Sequence, residues 1–179
     1  MIIFLALIVI GFTIPGLLNL NPAANNAPKA VEPRVCQADS DCYLICNDQP
    51  LSVLCSQNLC QQNACTEQPK YPFKTEPIAF HLTAHLNETT IDLINKSNPR
   101  DLFATFNTES VKSFSSVLPL RLILEKINVK LTAECLQIDQ KKYCRNDQHK
   151  VRLLVNGKET YTYEDYVPQQ GDSIEMVYS

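Results

Sequence analysis

The chain has 179 residues, 45% hydrophobic and 20% charged, with a formal net charge of −3. That length holds one ordinary core plus appendages, and a near-balanced charge without a basic stripe interleaved with aromatics gives no ground for nucleic acid as a partner. Eight cysteines, eleven prolines, four glycines and no tryptophan point to a disulfide-stapled protein of an oxidising compartment.

Residues 2–20, IIFLALIVIGFTIPGLLNL, carry no charge. A helix of that length spans about 28 Å at 1.5 Å per residue, close to the hydrocarbon thickness of a bilayer. The run lacks a basic lead and a clean small-x-small cleavage site, so residues 1–20 are expected to be an uncleaved signal anchor rather than a removed signal peptide. Lys29 and Arg34 follow it, which by the positive-inside rule would hold the remainder in the cytoplasm. The clustered cysteines ask for the opposite side, and two charges are the weaker signal. Ala6 and Gly11 are misphased for a small-x-x-x-small helix contact. Residues 21–35, opening NPAANNAPKAVEP, read as an extended tether.

Six cysteines, at 36, 42, 46, 55, 60 and 65, fall in residues 36–65, separated by five, three, eight, four and four residues. Zinc would ask for paired knuckles or histidines, and this segment contains no histidine. Three disulfides are expected among Cys36, Cys42, Cys46, Cys55, Cys60 and Cys65, with fifteen pairings open. The opening Cys36-x2-Asp39-x-Asp41-Cys42 resembles the start of whey-acidic-protein-type modules. It lacks their adjacent Cys-Cys pair and has too few cysteines, so protease inhibition is not carried over. Asp39 and Asp41 read as a polar turn rather than calcium ligands, because the other oxygen donors are missing.

Residues 66–77, with Pro69, Pro72 and Pro77, read as a linker. Phe80, Leu82, Ala84 and Leu86 then alternate with His81, Thr83 and His85, the period of a strand. The two histidines fall about 13 Å apart on one face, too far for one metal ion. A turn at residues 87–90 leads to a partner strand over 91–94. Residues 102–109 are ambiguous. Ser115 or Ser116 is a candidate cap for a helix over 117–128, with Pro119 in its first turn and a wide apolar stripe. Residues 129–138 read as a strand, and Cys135 and Cys144 as a fourth disulfide pinning a loop or hairpin. Val151, Leu153 and Val155 mark the next strand, Asn156-Gly157 a type I′ turn, and Tyr161-Thr162-Tyr163 a continuing strand. After a turn at 168–172, Ile174, Met176 and Tyr178 mark the last strand.

A strand ending Val155-Asn156-Gly157-Lys158, then Tyr163-Glu164-Asp165-Tyr166, then Gly171-Asp172-Ser173-Ile174-Glu175-Met176-Val177-Tyr178, resembles the C-terminal half of β-grasp domains of the transcobalamin-like, soluble-ligand-binding kind. The similarity covers residues 116–179. It implies an α+β fold, a small mixed sheet wrapped on one helix over residues 78–179, and a ligand-binding role. Nucleophile elbows, zinc-protease motifs and phosphate loops are missing from the sequence, so no enzyme and no cofactor are expected. The expectation is a membrane-anchored extracytoplasmic binding module presenting Tyr161, Tyr163 and Tyr166 to a small molecule, glycan or membrane-protein partner. The alternative is an accessory subunit of a membrane complex. Asn87-Glu88-Thr89 and Asn95-Lys96-Ser97 are glycan acceptor sequons in keeping with an outside location.

Overall fold

A computed structural model describes residues 32–108 and 110–179. The expected anchor and all but the end of the tether lie outside these residues. Among those described, no helix is long and apolar enough to cross a membrane. Glu32–Ser179 forms one compact α+β unit, a disulfide-rich segment followed by a mixed sheet with one α-helix among the described residues.

The disulfide-rich segment is two small hairpins. β1 (Tyr43–Cys46) pairs with β2 (Gln49–Ser52), and β3 (Cys55–Ser56) with β4 (Leu59–Cys60). Each turns through two residues at positive φ, Asn47-Asp48 and Gln57-Asn58. Both turns thus share the backbone sign of a type I′ connection, although only Asn and Asp tolerate it readily. Of the fifteen pairings, the structure selects first to fourth, second to fifth and third to sixth: Cys36–Cys55, Cys42–Cys60 and Cys46–Cys65. The buried core here is little more than the Cys36–Cys55 and Cys42–Cys60 bridges, Val53 and the flank of Leu44. Loop closures of 18 or 19 residues each stabilise by about 3 kcal/mol in the chain-entropy view, which is what so small a core requires.

The main sheet is built on β5 (Ile78–Leu86), two residues longer at its start than the alternation predicts. Along one side of β5 lie β6 (Thr89–Ile91) and the antiparallel pair β7 (Ala104–Phe106) and β8 (Val111–Ser113). On the other side β14 (Ser173–Tyr178) runs parallel to β5, followed outward by β12 (Val151–Val155) and β13 (Lys158–Thr160). The order is therefore β13-β12-β14-β5-β8-β7, with β6 also on β5. A parallel neighbour cannot be reached by a tight turn. The intervening chain supplies the crossover: the helix α1 (Leu120–Glu125) and a three-stranded meander, β9 (Val129–Leu131), β10 (Cys135–Ile138) and β11 (Lys141–Cys144). Phe80 and Ala84 of β5, Leu153 of β12, and Ile174 and Met176 of β14 are buried in one core with Leu120, Ile123, Leu124 and Ile127.

Four expectations are corrected. The helix covers six residues, with Pro119 as its N-cap in extended conformation, not Ser115 or Ser116. A residue before proline is pushed out of the helical region, which bars Leu118 from the helix. The C-terminal end tightens through Ile127 and stops at Asn128, at φ 55°. The stretch 129–138 is two strands, because the Thr132 hydroxyl accepts the Cys135 (2.9 Å) and Glu134 (3.3 Å) amides and folds a turn between them. β6 ends at Ile91, and Ile94–Lys96 is a 3-10 turn. β13 ends at Thr160, and Tyr163–Asp165 is a second 3-10 turn, so the three tyrosines lie beyond the sheet.

Cys135 and Cys144 face each other directly across β10 and β11, and their disulfide closes that hairpin. Asp39 is no solvated turn residue. It is fully buried, and its carboxylate accepts the amides of Cys55 (2.8 Å), Leu102 (2.9 Å) and Phe103 (3.0 Å) and the Lys126 ammonium (2.6 Å). Asp41 does hold its own turn, accepting the Gln37 and Ala38 amides, and it also pairs with Arg100.

Candidate binding cleft

The turn Asn156-Gly157, with φ of 52° and 75°, returns the chain from β12 into β13. Both central residues have the sign a type I′ turn needs, which Asn and Gly adopt most readily. Leu154 lies opposite Glu159 in this pair. With side chains alternating along each strand, Arg152 and Tyr161 continue the same face beyond that pair. Tyr161, one residue past the end of β13, is 80% exposed.

The other two tyrosines are partly buried against the core. The Tyr163 hydroxyl donates to the Val151 carbonyl at 3.3 Å, with the residue itself at φ 42°. Tyr166 donates to Asp172 Oδ2 at 2.6 Å, and the same carboxylate accepts the Gln169 amide (2.7 Å) and the Asn156 side-chain amide (2.9 Å). Burial, then the bond to Asp172 and its charge, push the Tyr166 hydroxyl up to about 12. Burial alone would raise Asp172, but its three donors outweigh it and hold the carboxyl below its usual value. Burial is also the first cause of a raised Tyr163 pKa, followed by the charge of Glu159. Asp172 therefore ties the closing turn to the Asn156 turn of the β12–β13 hairpin, and Tyr166 braces that carboxylate. Tyr161 and Tyr163 come together at a cleft, and Tyr166 does not join them.

That cleft encloses about 350 Å³ between β12, β13 and the neighbouring meander. Its walls are Tyr161, Tyr163, Arg145, Lys150, Arg152 and Glu159, closed by Ala133 and Val151. A larger groove of about 530 Å³ runs along the helix, and three of its charged groups are already engaged. Arg121 pairs with Asp165 at 2.9 Å, Glu125 accepts from Ser56 (2.9 Å) and the Gln57 amide (2.6 Å), and Asp139 is held by Lys96. Its remaining charges, Lys130 and Glu164, are of opposite sign, so it lacks the positive excess of the cleft beside Tyr161.

Arg145, Lys150 and Arg152 were not singled out by the sequence reading. The legible signal is local charge: residues 129–152 hold six Lys and Arg against three Asp and Glu, in a chain whose overall charge is −3. For metals, the Sγ atoms of Cys36, Cys42 and Cys60 lie within 4.8 Å of one another. All three are oxidised in Cys36–Cys55 and Cys42–Cys60, so this proximity is two neighbouring disulfides, which lack the thiolates a metal needs. His81 is exposed, and His85 shares a hydrogen bond with the Thr90 hydroxyl at 3.1 Å. Asn87 is exposed in the β5–β6 turn; Asn95 is exposed too, with its amide donating to Asp92.

No protein-family model matches the chain, and no curated protein matches it.

Proposed function

We propose that this protein is a non-enzymatic binding module, held at the outer face of a membrane by residues 2–20, which takes its ligand in the cleft beside Tyr161. The observation that carries the reading is the pairing of a largely exposed aromatic ring with a concave, charged wall. Tyr161 is 80% exposed where the core offers no reason for a tyrosine. It stands over a cleft whose other ring, Tyr163, is anchored by its hydroxyl. Exposed tyrosine supplies contact area at low entropy cost, and small-molecule sites are concave with a few converging polar groups. We also read the sheet as β-grasp-like. In support, its first and last long strands, β5 and β14, run parallel side by side, with the β12–β13 hairpin outside them and one helix packed across. Four disulfides, with no free cysteine among the described residues, support an oxidising location.

The test is a compound screen on the full-length protein in lipid nanodiscs, read by NMR shifts of the Tyr161 ring and repeated with Tyr161→Ala. Ligands that shift Tyr161 and lose affinity in the variant support the reading. A screen in which every binder leaves Tyr161 unmoved overturns it. Protease protection of the intact chain in cells tests the membrane placement independently.

A second reading, an accessory subunit of a membrane complex, is favoured by the disulfide-rich segment. Val35, Ile45 and Tyr43 are 77%, 66% and 58% exposed there, an unusual concentration of apolar surface. Stoichiometric co-purification of a membrane protein, lost in an Ile45→Asp variant, would establish this role.

A further inference from the structure

We propose that the cleft beside Tyr161 takes a small anionic ring compound, of which a carboxylate- or phosphate-bearing sugar is the simplest case. The inference rests on the binding reading above and names the ligand class of that site.

Three cations, Arg145, Lys150 and Arg152, line the cleft against one carboxylate, Glu159. What matters is whether those cations are free. The Lys150 ammonium makes no hydrogen bond or ion pair among the described residues; only its backbone is engaged, with Ser179. Arg152 uses one nitrogen on the Ser179 hydroxyl at 2.9 Å, a neutral partner that leaves the positive charge unmatched. Arg145 reaches Glu134 at 3.3 Å with both side chains more than half exposed. That is long for a charge-assisted bond, and solvent-exposed pairs of this kind hold weakly.

A neutral guest would cover these charged groups without replacing their water. A cationic guest would meet three like charges, and a metal ion would find a single carboxylate. An anion gains from all three, and Arg offers it two donors in one plane. Tyr161 adds a requirement of shape, because its exposed face rewards a flat or ring-shaped body. A volume of about 350 Å³ lies near the lower end for small-molecule sites, which suits one or two rings.

The test titrates the full-length protein, in nanodiscs of uncharged lipid, with glucuronic acid, glucose and inorganic phosphate. Binding is followed through the Tyr161 ring and the Lys150 and Arg152 amides. Glucuronate or phosphate is expected to shift all three positions, with affinity falling as salt rises. Lys150→Gln and Arg152→Gln are each expected to weaken binding about tenfold. Tyr161→Ala should weaken glucuronate more than phosphate, which has no ring to stack. Equal binding of glucose and glucuronate, or an unchanged affinity in the Lys150→Gln/Arg152→Gln double variant, overturns the anionic class and leaves the cleft a binding site. Silence from all three probes also overturns it, whereas the broader binding reading survives if another compound moves Tyr161.

Discussion

The ammonium of Lys126 lies 2.6 Å from Oδ1 of Asp39, with both side chains almost completely sealed from solvent. Asp39 belongs to the disulfide-rich segment and Lys126 follows the helix, so one buried ion pair ties the stapled hairpins to the sheet body. The Cys55 carbonyl (2.7 Å) completes the ammonium's shell, and Asp101 stands at 3.4 Å. Removing one member of a buried pair strands the other charge, so Lys126→Met is expected to cost about 3–5 kcal/mol. A double variant, Asp39→Asn/Lys126→Met, should recover part of that loss. Urea unfolding of the oxidised protein checks both; a loss under about 1 kcal/mol for the single variant would mean the pair is solvated.

Asp101 gives a pH signature. Burial raises its pKa, the charge of Lys126 pulls it back and that of Asp39 pushes it up, with a net rise. A carboxyl raised by folding contributes stability that is present below its unfolded value, near 4, and is lost as pH rises through the folded value. Asp101→Asn should therefore match the native protein at pH near 3 and equal or exceed its stability at pH near 7. Paired melting curves across that range provide the measurement; a variant less stable only at neutral pH would reverse the sign.

Tyr166 and Asp172 act together in two pH windows. The Tyr166 hydroxyl is raised to about 12, so its contribution is complete below about 10 and is lost as pH climbs toward the folded value. Asp172 is lowered, so its contribution holds above about 4 and is lost as pH falls through the folded value. Tyr166→Phe should remove the alkaline loss, shift the acid loss to higher pH, and cost about 1–2 kcal/mol at neutral pH. Chemical denaturation at acid, neutral and alkaline pH separates the three effects.

Tyr161→Ala should change stability by no more than about 0.5 kcal/mol, because an 80% exposed ring contributes little to the core. Any loss of ligand binding in that variant is then attributable to the cleft itself. A larger destabilisation, seen as a lowered melting temperature, would assign the ring a structural role.

The Cys135–Cys144 bridge closes a loop of nine residues. Replacing both cysteines with serine is expected to cost about 2–3 kcal/mol, with faster amide exchange confined to β9, β10 and β11. Loss of Cys42–Cys60, by contrast, should loosen the whole disulfide-rich segment, whose core is largely its sulfurs. Hydrogen exchange by mass spectrometry distinguishes a local from a spreading effect.

Periodicity in the chain alone located β5, β12 and β14, since Phe80 and Ala84, Val151 and Leu153, and Ile174 and Met176 alternate onto a buried face. Asn156-Gly157 marked its turn because few other residue pairs adopt that backbone. The cysteine count likewise announced a stapled segment. Those features are local, carried by residues close to one another along the chain. What the sequence left open depends on partners distant along the chain: which of fifteen disulfide sets forms, and the burial of Asp39 against Lys126, 87 residues away. The same holds for the convergence of Arg145, Lys150 and Arg152 on Tyr161. A carboxylate in a polar run and a buried one in an ion pair look identical in sequence, because only packing decides which of them loses its water.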